Sequence, residues 1–366
     1  MLVPAVLFCA DLRADEGVVN QVIVNQVLEW SSSVVSYSGE FEYRERNPFY
    51  TDSDPEIMAR GQTEKVWHAT YKSDGPNRLI EGTGKRGDFV DFDGFIGKIG
   101  DKVTIYERDV GTAEINGDSK FWGSLWVSIM PMTPECLLGN YNWAISLRDC
   151  YSAGHVQTFD RGNGITVCSF RVPNKKVFAM DVYWDEGAQC AKRIDYVTRP
   201  KVDLLPKILA KWDGDPFDLR SVKSSLEILS YETIDGIVFP TSAHKTFYAA
   251  DEEPSAALGF SPLVDGDDYV DWLLDYYQLP THATVETDYL LYSCRLNVPI
   301  PESEFEISIP KGVLVVDRST GEEYTTVGFW ESRTHVRLAV IAGVFLPLSI
   351  FGYWVYVGKR RRRTSM

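Results

Sequence analysis

The chain has 366 residues, 37 of them basic and 52 acidic, for a formal net charge of −15. A field of that sign repels phosphate backbones, which excludes nucleic-acid binding as a main role, and the length suits one large domain or two small ones. Six cysteines and five histidines are scattered without a CxxC pair, a distribution unlike a structural zinc site or a disulfide framework.

Leu2 to Ala10 is a short apolar run, too brief to span a bilayer, followed by Asp11-Leu12-Arg13-Ala14. With Ala14 before the cut, residues 1–14 read as a signal peptide, shortened at its start because no basic n-region precedes it. Next, Val19, Val22, Ile23, Val27 and Trp30 recur at helical spacing, and Ser31-Ser32-Ser33 ends the helix. The period then changes to two. Val35, Tyr37, Phe41 and Tyr43 alternate with polar residues as in a half-buried strand, and Trp67, Ala69 and Tyr71 share one face of Gln62 to Tyr71.

Strand signals dominate from there. Asp93-Gly94 between Phe89–Phe92 and Phe95–Ile99 predicts a hairpin, as does Asp235-Gly236 between Leu226–Ile234 and Ile237–Ala249. Further strands are expected at Lys102–Arg108, His155–Asp160, Ile165–Arg171, Phe178–Trp184, Val285–Leu296, Phe305–Ile309 and Val313–Val316. Asn163-Gly164 marks another tight turn. Helices are expected only near Glu135–Cys150, Val202–Trp212 and Tyr269–Tyr277. Residues 251–280 are acidic, carry Pro254 and Pro262, and read as an insertion between two strands. Many antiparallel strands with a few helices indicate an α+β domain, residues 15–330, built on one strongly curved sheet.

The C-terminal region changes solvent. Leu338 to Val357 contains no charge, and at 1.5 Å per residue it measures ~30 Å, the thickness of a bilayer's hydrocarbon core. Tyr353, Trp354 and Tyr356 crowd one end, and Lys359 with Arg360 to Arg363 follow at once. This predicts a single transmembrane helix at 338–357 and a basic cytoplasmic tail at 358–366, with the large domain outside the cytoplasm.

Motifs for chemistry are weak. Gly82-Thr83-Gly84-Lys85-Arg86-Gly87 has GxGxxG spacing but no helix after it, so a turn is expected and no nucleotide cofactor. Asp265-Gly266-Asp267-Asp268 and Asp213-Gly214-Asp215 resemble calcium loops, but the first places Tyr269 and Val270 where an EF-hand needs a ligand and a glycine, so helix capping or a solvated loop is expected and no metal. There is no GxSxG or HExxH, the histidines His68, His155 and His244 fall in predicted strands and are expected as half-exposed strand residues rather than bases, and Glu40 and Glu42 fall on a polar strand face. A non-enzymatic domain is expected. The surplus lies in 18 Phe, 19 Tyr and 10 Trp, many at alternating positions. They form either an ordinary core or a cavity for an acyl chain, whose sheet wall would include Phe41, Tyr43, Trp67, Tyr183 and Phe247.

Several stretches together resemble a family. They are the helix Val18–Ser33 leading into Val34–Arg46, then Phe178–Asp185, Ala191–Tyr196, Tyr231–Pro240, Phe305–Gly312 and Val315-Val316-Asp317. From about residue 18 to 325 the pattern is similar to the bacterial LolA-like group, the outer-membrane lipoprotein carriers and their relatives. That resemblance implies an unclosed β-barrel wrapped over helices, with an apolar cavity for lipid or lipoprotein acyl chains, in the periplasm. It also admits a second role, an envelope sensor or scaffold that binds proteins, since one relative regulates envelope stress. A tether at 338–357 and the insertion at 251–280 depart from the soluble carriers.

The topology is directly testable. Protease added to right-side-out inner-membrane vesicles is expected to digest the large domain, whereas its protection would overturn the orientation read from the basic tail.

Overall fold

The computed structural model describes residues 20–47, 50, 54–118, 137–139, 146–152, 156–172, 178–201, 203–251, 255, 258 and 267–326. The proposed signal peptide, the span 338–357, the tail, His155 and Asp265-Gly266 lie outside these residues. Among the described residues no helix is long and apolar enough to cross a membrane.

The first helix, α1 (Gln21–Ser31), is capped by Asn20, whose side-chain oxygen accepts from the Ile23 amide at 3.3 Å. Its buried stripe is Ile23, Val24, Val27, Leu28 and Trp30, whereas Val22 stands 65% exposed, one residue off the expected face. The serines at its end satisfy its last carbonyls. Ser31 and Ser32 donate to the Leu28 oxygen at 3.1 and 2.6 Å, and Ser33 donates to that of Trp30 at 2.7 Å.

Among the described residues fifteen strands follow, joined in one sheet. An antiparallel meander runs β1 (Ser36–Arg46), β2 (Lys65–Asp74), β3 (Asn77–Arg86), β4 (Phe89–Ile99), β5 (Lys102–Glu107) and β6 (Thr112–Asp118), with α2 (Pro55–Gln62) between the first two. A short helix α3 (Leu147–Ser152) precedes a second meander. It comprises β7 (Val156–Asp160), β8 (Ile165–Arg171), β9 (Phe178–Asp185), β10 (Cys190–Thr198), β11 (Ser221–Ile234), β12 (Ile237–Ala250) and β13 (Thr281–Leu296). Helix α4 (Leu205–Leu209) lies between β10 and β11, and α5 (Asp267–Tyr277) between β12 and β13. Strand β13 pairs with β1 and joins the two meanders. Then β14 (Leu314–Asp317) pairs in parallel with β6 and antiparallel with β15 (Glu322–Thr325). The sheet is curved and does not close, since β15 and β7 stand at opposite ends of its strand order.

The face carrying α1, the inner face, holds the main core. It gathers Tyr37, Phe41, Tyr43, Trp67, Ala69 and Tyr71 from β1 and β2 with Phe170, Met180, Val182, Trp184, Ile194 and Tyr289 from the second meander. The outer face is covered locally. Ile307 and Ile309 pack on Tyr106, Ala113, Val313 and Val315, and α4 and α5 form a small core of Leu204, Ile208, Leu219, Val270 and Leu273.

Three turn and strand expectations need correction. Asp93-Gly94 sits inside the continuous strand β4. A Cβ on Gly94 would stand 1.9 Å from the Tyr106 carbonyl oxygen, so this glycine permits close approach of strands rather than a reversal. The GxGxxG segment is mostly strand β3, and only Gly87 lies in a turn. Phe305 to Ile309 is extended but unpaired after a 3-10 turn at Glu302–Phe305. Its alternation reports a chain buried on one side, which does not require a ladder. By contrast, Asp235-Gly236 makes the β11–β12 turn with both residues at positive φ, +53° and +82°.

Gly84 shows what glycine contributes within the sheet. It pairs with Trp67 on one side and Phe92 on the other, and the two rings stack across it at 5.2 Å. A Cβ there would meet the Trp67 indole at 2.4 Å. Gly84→Ala is therefore expected to destabilise the domain by about 1–3 kcal/mol in urea denaturation, as overpacking does. Gly187→Ala, whose nearest neighbour would be the Asp185 carboxylate at 3.3 Å, is the control expected to change little. Equal midpoints for the two variants would contradict the packing role.

Candidate functional site

The inner face is a continuous aromatic surface. Trp30 of α1 meets Trp184 edge-on at 5.9 Å, Tyr37 contacts both Tyr71 and Phe239 at 5.8 Å, and Phe41 stacks on Tyr289 at 5.4 Å. Alternation places these rings together because the β1–β2 and β1–β13 registers put residues of matching phase opposite each other.

The five residues expected on a cavity wall separate. Phe41, Tyr43 and Trp67 share the inner face at 2, 2 and 1% exposure, so a ligand reaches them only by displacing what packs on them. Tyr43 donates a short hydrogen bond to Glu45, and burial together with that carboxylate pushes its phenol far above the ordinary value. Phe247 is half-buried at a less tightly packed end of the same face. The unbroken register Ala243–Tyr289, Lys245–Thr287 and Phe247–Val285 keeps it in phase with the core residues Ala243 and Tyr289. Tyr183 points the other way. Its neighbours Val182 and Trp184 belong to the main core, and its hydroxyl joins an ionic cluster on the outer face.

Polar atoms inside the inner face are unevenly served. The Trp30 indole N–H donates to the Val238 carbonyl at 3.1 Å. The indole nitrogens of Trp67 and Trp184 and the hydroxyl of Thr287 are buried without any partner. Unpartnered buried polar atoms are also found in the outer-face cluster, at Asp181 Oδ1 and Arg199 Nε, so they are spread over both faces of the sheet. Lys245, the register partner of Thr287 on β12, is a buried lysine. Lys245 is 8% exposed and holds its Nζ 5.1 Å from the Tyr196 ring and 4.9 Å from the Phe247 ring.

The outer-face cluster is built on two carboxylates directly opposite in register, Asp181 on β9 and Asp195 on β10, both fully buried. Like charges so placed repel, and arginines from the following segment offset them. Arg199 and Arg220 reach Asp181 at 2.7 and 2.6 Å, while Arg193 reaches Asp195 at 2.7 Å. Tyr183 donates to Asp195 at 3.1 Å and accepts from Arg220 at 2.7 Å. Phe217 lies beneath the guanidinium groups of Arg161, Arg199 and Arg220 at 4.2, 5.1 and 4.0 Å. Burial by itself raises the Asp181 pKa, but Arg199 and Arg220 outweigh it and hold the carboxyl below its usual value. Burial, with Asp195 adding to it, raises Tyr183. Burial also lowers Arg171, seated near Arg199, to about 10.

Groups suited to catalysis take structural roles here. Cys150, Cys168, Cys190 and Cys294 are unpaired thiols. Burial pushes Cys150 and Cys168 up to about 12 and Cys294 up to about 11, leaving no thiolate nucleophile among them at neutral pH. Asp215 accepts from the Phe217 amide at 2.9 Å and pairs with Arg161 at 2.8 Å, a capping role. Glu42, expected in solvent beside Glu40, is 5% exposed. It accepts from Arg44 at 2.5 Å and Tyr292 at 2.9 Å, because β1 lies inside the sheet and neighbouring side chains cover its outer face. Among the described residues no group of three His, Cys, Asp or Glu is placed to hold a metal.

Sequence reasoning passed over Lys245, Thr287 and the Asp181 cluster. The available signals were a lysine in the apolar phase of β12 and an aspartate inside the nearly continuous apolar run of β9, which marks a strand covered on both faces.

No protein-family model and no curated protein matches the sequence. Solved structures do. The chain is similar to a LolA superfamily protein of Nitrosomonas europaea at 9% identity and TM-score 0.40, covering 78% of this chain and 97% of that one. It is similar to a DUF1329 family protein of Desulfovibrio piger at 11% identity and TM-score 0.41, covering 82% and 98%. An outer membrane lipoprotein-sorting protein domain of Vibrio parahaemolyticus follows at 9% identity and TM-score 0.40, covering 78% and 94%.

The ionic cluster makes a stability prediction. Asp181→Asn leaves Arg199 and Arg220 without their shared carboxylate and is expected to cost about 3–5 kcal/mol. Because the folded Asp181 pKa is depressed, its stabilising contribution is fully present above the unfolded value of about 4 and is lost as pH falls through the folded value. Urea midpoints of the wild type are expected to fall below that pH more steeply than those of Asp181→Asn. Parallel pH profiles would remove Asp181 as a source of the acid sensitivity.

Proposed function

We propose that this is a non-enzymatic, extracytoplasmic binding domain, tethered to a bacterial membrane by residues 338–357, that takes an acyl lipid or lipidated partner on its inner face. The observation that supports this reading is the continuous aromatic inner face, from Trp30 and Trp184 to Phe41 and Tyr289. Phe247, half-buried at one end, is the natural point of entry, and Phe41, Tyr43 and Trp67 form the deeper wall. The aromatic stacking of that wall means uptake requires the packing over it to open.

A second reading has its own support. Leu290 and Tyr292 project from the outer face of β13 at 45 and 57% exposure, and they would suit a scaffold that binds envelope proteins.

Mass spectrometry of the gently purified protein distinguishes the two. Copurified acyl lipid is the expected result, and a wild-type protein that is folded yet binds no fatty acid or phospholipid would give first place to the scaffold. Phe247→Ala is expected to remain folded and to weaken binding of a fluorescent fatty acid about tenfold. Trp67→Ala, in the stacked part of the wall, is expected to cost about 3–5 kcal/mol of stability. An unchanged fatty-acid affinity in Phe247→Ala would remove Phe247 from the site.

A further inference from the structure

Exposed apolar side chains gather at the end of the sheet from which the chain leaves. Ile57, Val90, Val110, Leu314 and Tyr324 are 41 to 60% exposed and stand on five separate segments. The registers bring those segments to one end. Glu45 on β1 pairs with Lys65 on β2, and Lys65 pairs with Arg86 on β3, so α2 and the turn before Val90 lie together. Arg86 joins them by donating to the Gly61 carbonyl at 2.9 Å. Gly94 pairs with Glu107, so the β5–β6 turn that carries Val110 points the same way. The Leu314 amide donates to the Gly111 carbonyl at 3.1 Å, and Val315 pairs with Tyr324, which adds β14 and β15. Thr326 is fixed at this rim. Its amide donates to the Val313 carbonyl and its carbonyl accepts from the Gly312 amide, both at 2.9 Å.

We infer that this rim rests on the extracytoplasmic leaflet of the bilayer, with the five side chains at headgroup level. This rests on the tether proposed above. Eleven residues, 327–337, separate Thr326 from the proposed span, and fully extended they reach at most ~40 Å. Strand β1, with 11 residues, is ~36 Å long at 3.3 Å per residue, so turning the opposite end to the membrane would use nearly the whole linker along the sheet. The rim is therefore the end held toward lipid. Apolar residues scattered singly over a surface mean little, but a set gathered on one rim marks a contact surface. Its chemistry suits lipid, since the four aliphatic side chains gain by leaving water and a tyrosine favours the headgroup region. Phe247 lies toward the same end. Its register partner Val285 is two residues from Thr287, which pairs with Glu45 near the end of β1. The proposed point of entry thus faces the bilayer that would supply the guest.

The test reads lipid contact position by position. Full-length protein is placed in nanodiscs of phosphatidylethanolamine and phosphatidylglycerol with radiolabelled acyl chains. The photocrosslinking residue benzoylphenylalanine replaces Val90, Val110 or Tyr324, and as controls Val35, before the start of β1, or Leu290 on the outer face. All five positions are exposed, so the variants are expected to fold. On irradiation the rim positions are expected to take up severalfold more lipid label than Val35 or Leu290. Transfer to lipid-free amphipol before irradiation is expected to abolish that label. Label that persists there belongs to a lipid carried by the domain and overturns the rim contact. Rim labelling no stronger than at Val35 or Leu290, in protein that resists alkaline extraction from membranes, overturns this inference and leaves the tether standing. Protein that alkali strips from membranes removes the tether and the inference with it.

Discussion

Everything in this fold depends on the ladder between β1 and β13. It pairs Tyr37 with Leu296 at one end and Arg46 with Glu286 at the other, and without it the two meanders would be separate sheets, each with an uncovered aromatic face. Local chemistry fixes where it starts. The Asn297 side chain accepts from the Val35 amide at 2.8 Å and donates to the Ser33 carbonyl at 2.8 Å, so the residue after β13 holds the residues before β1. Ser36 adds a hydrogen bond from its hydroxyl to the Val298 carbonyl at 2.8 Å. Segments some 250 residues apart are thereby set in one register, and with it the phase of every inward side chain. Loop closure of that span carries an entropy cost that only the finished ladder returns, which marks it as a late step of folding.

How much of this was legible follows from what local sequence encodes. The α1 stripe, the alternation of β1 and β2, and the Asp235-Gly236 turn are local, and the structure reproduces them within a residue or two. Asp93-Gly94 misled because the same dipeptide serves a tight turn or a close backbone contact, and only the neighbour Tyr106, brought in by β5, decides between them. Phe305 to Ile309 misled because alternation reports one-sided burial and says nothing of pairing. For the candidate site, Phe41, Tyr43 and Trp67 were legible as one surface, whereas Tyr183 required knowledge of the β9–β10 register and of the segment that folds over it. Neither is written in the strand itself.

The two faces of the second meander obey different rules. The inner face is cohesive through aromatic contact, and the outer face through charge, with Asp181 and Asp195 placed to repel one another unless Arg199 and Arg220 arrive. A buried pair of that kind contributes little net stability but penalises every arrangement in which one member is missing. The cluster therefore acts as a specificity device. It fixes how residues 199–220 lie on the sheet, and through Leu219 and Ile208 it sets the bed on which α5 rests.

The open ends of the strand order have a consequence for self-association. Among the described residues the outer sides of β15 and β7 carry no partner, and such edges offer backbone donors and acceptors to any passing strand unless they are guarded. Here β15 has only four residues, all exposed, and begins Glu322-Glu323, so a second copy docking edge to edge would bring acidic side chains against acidic side chains. At the other end β7 is five residues long and finishes at Asp160. Brevity and negative charge at both margins disfavour edge-to-edge pairing between copies of the sheet.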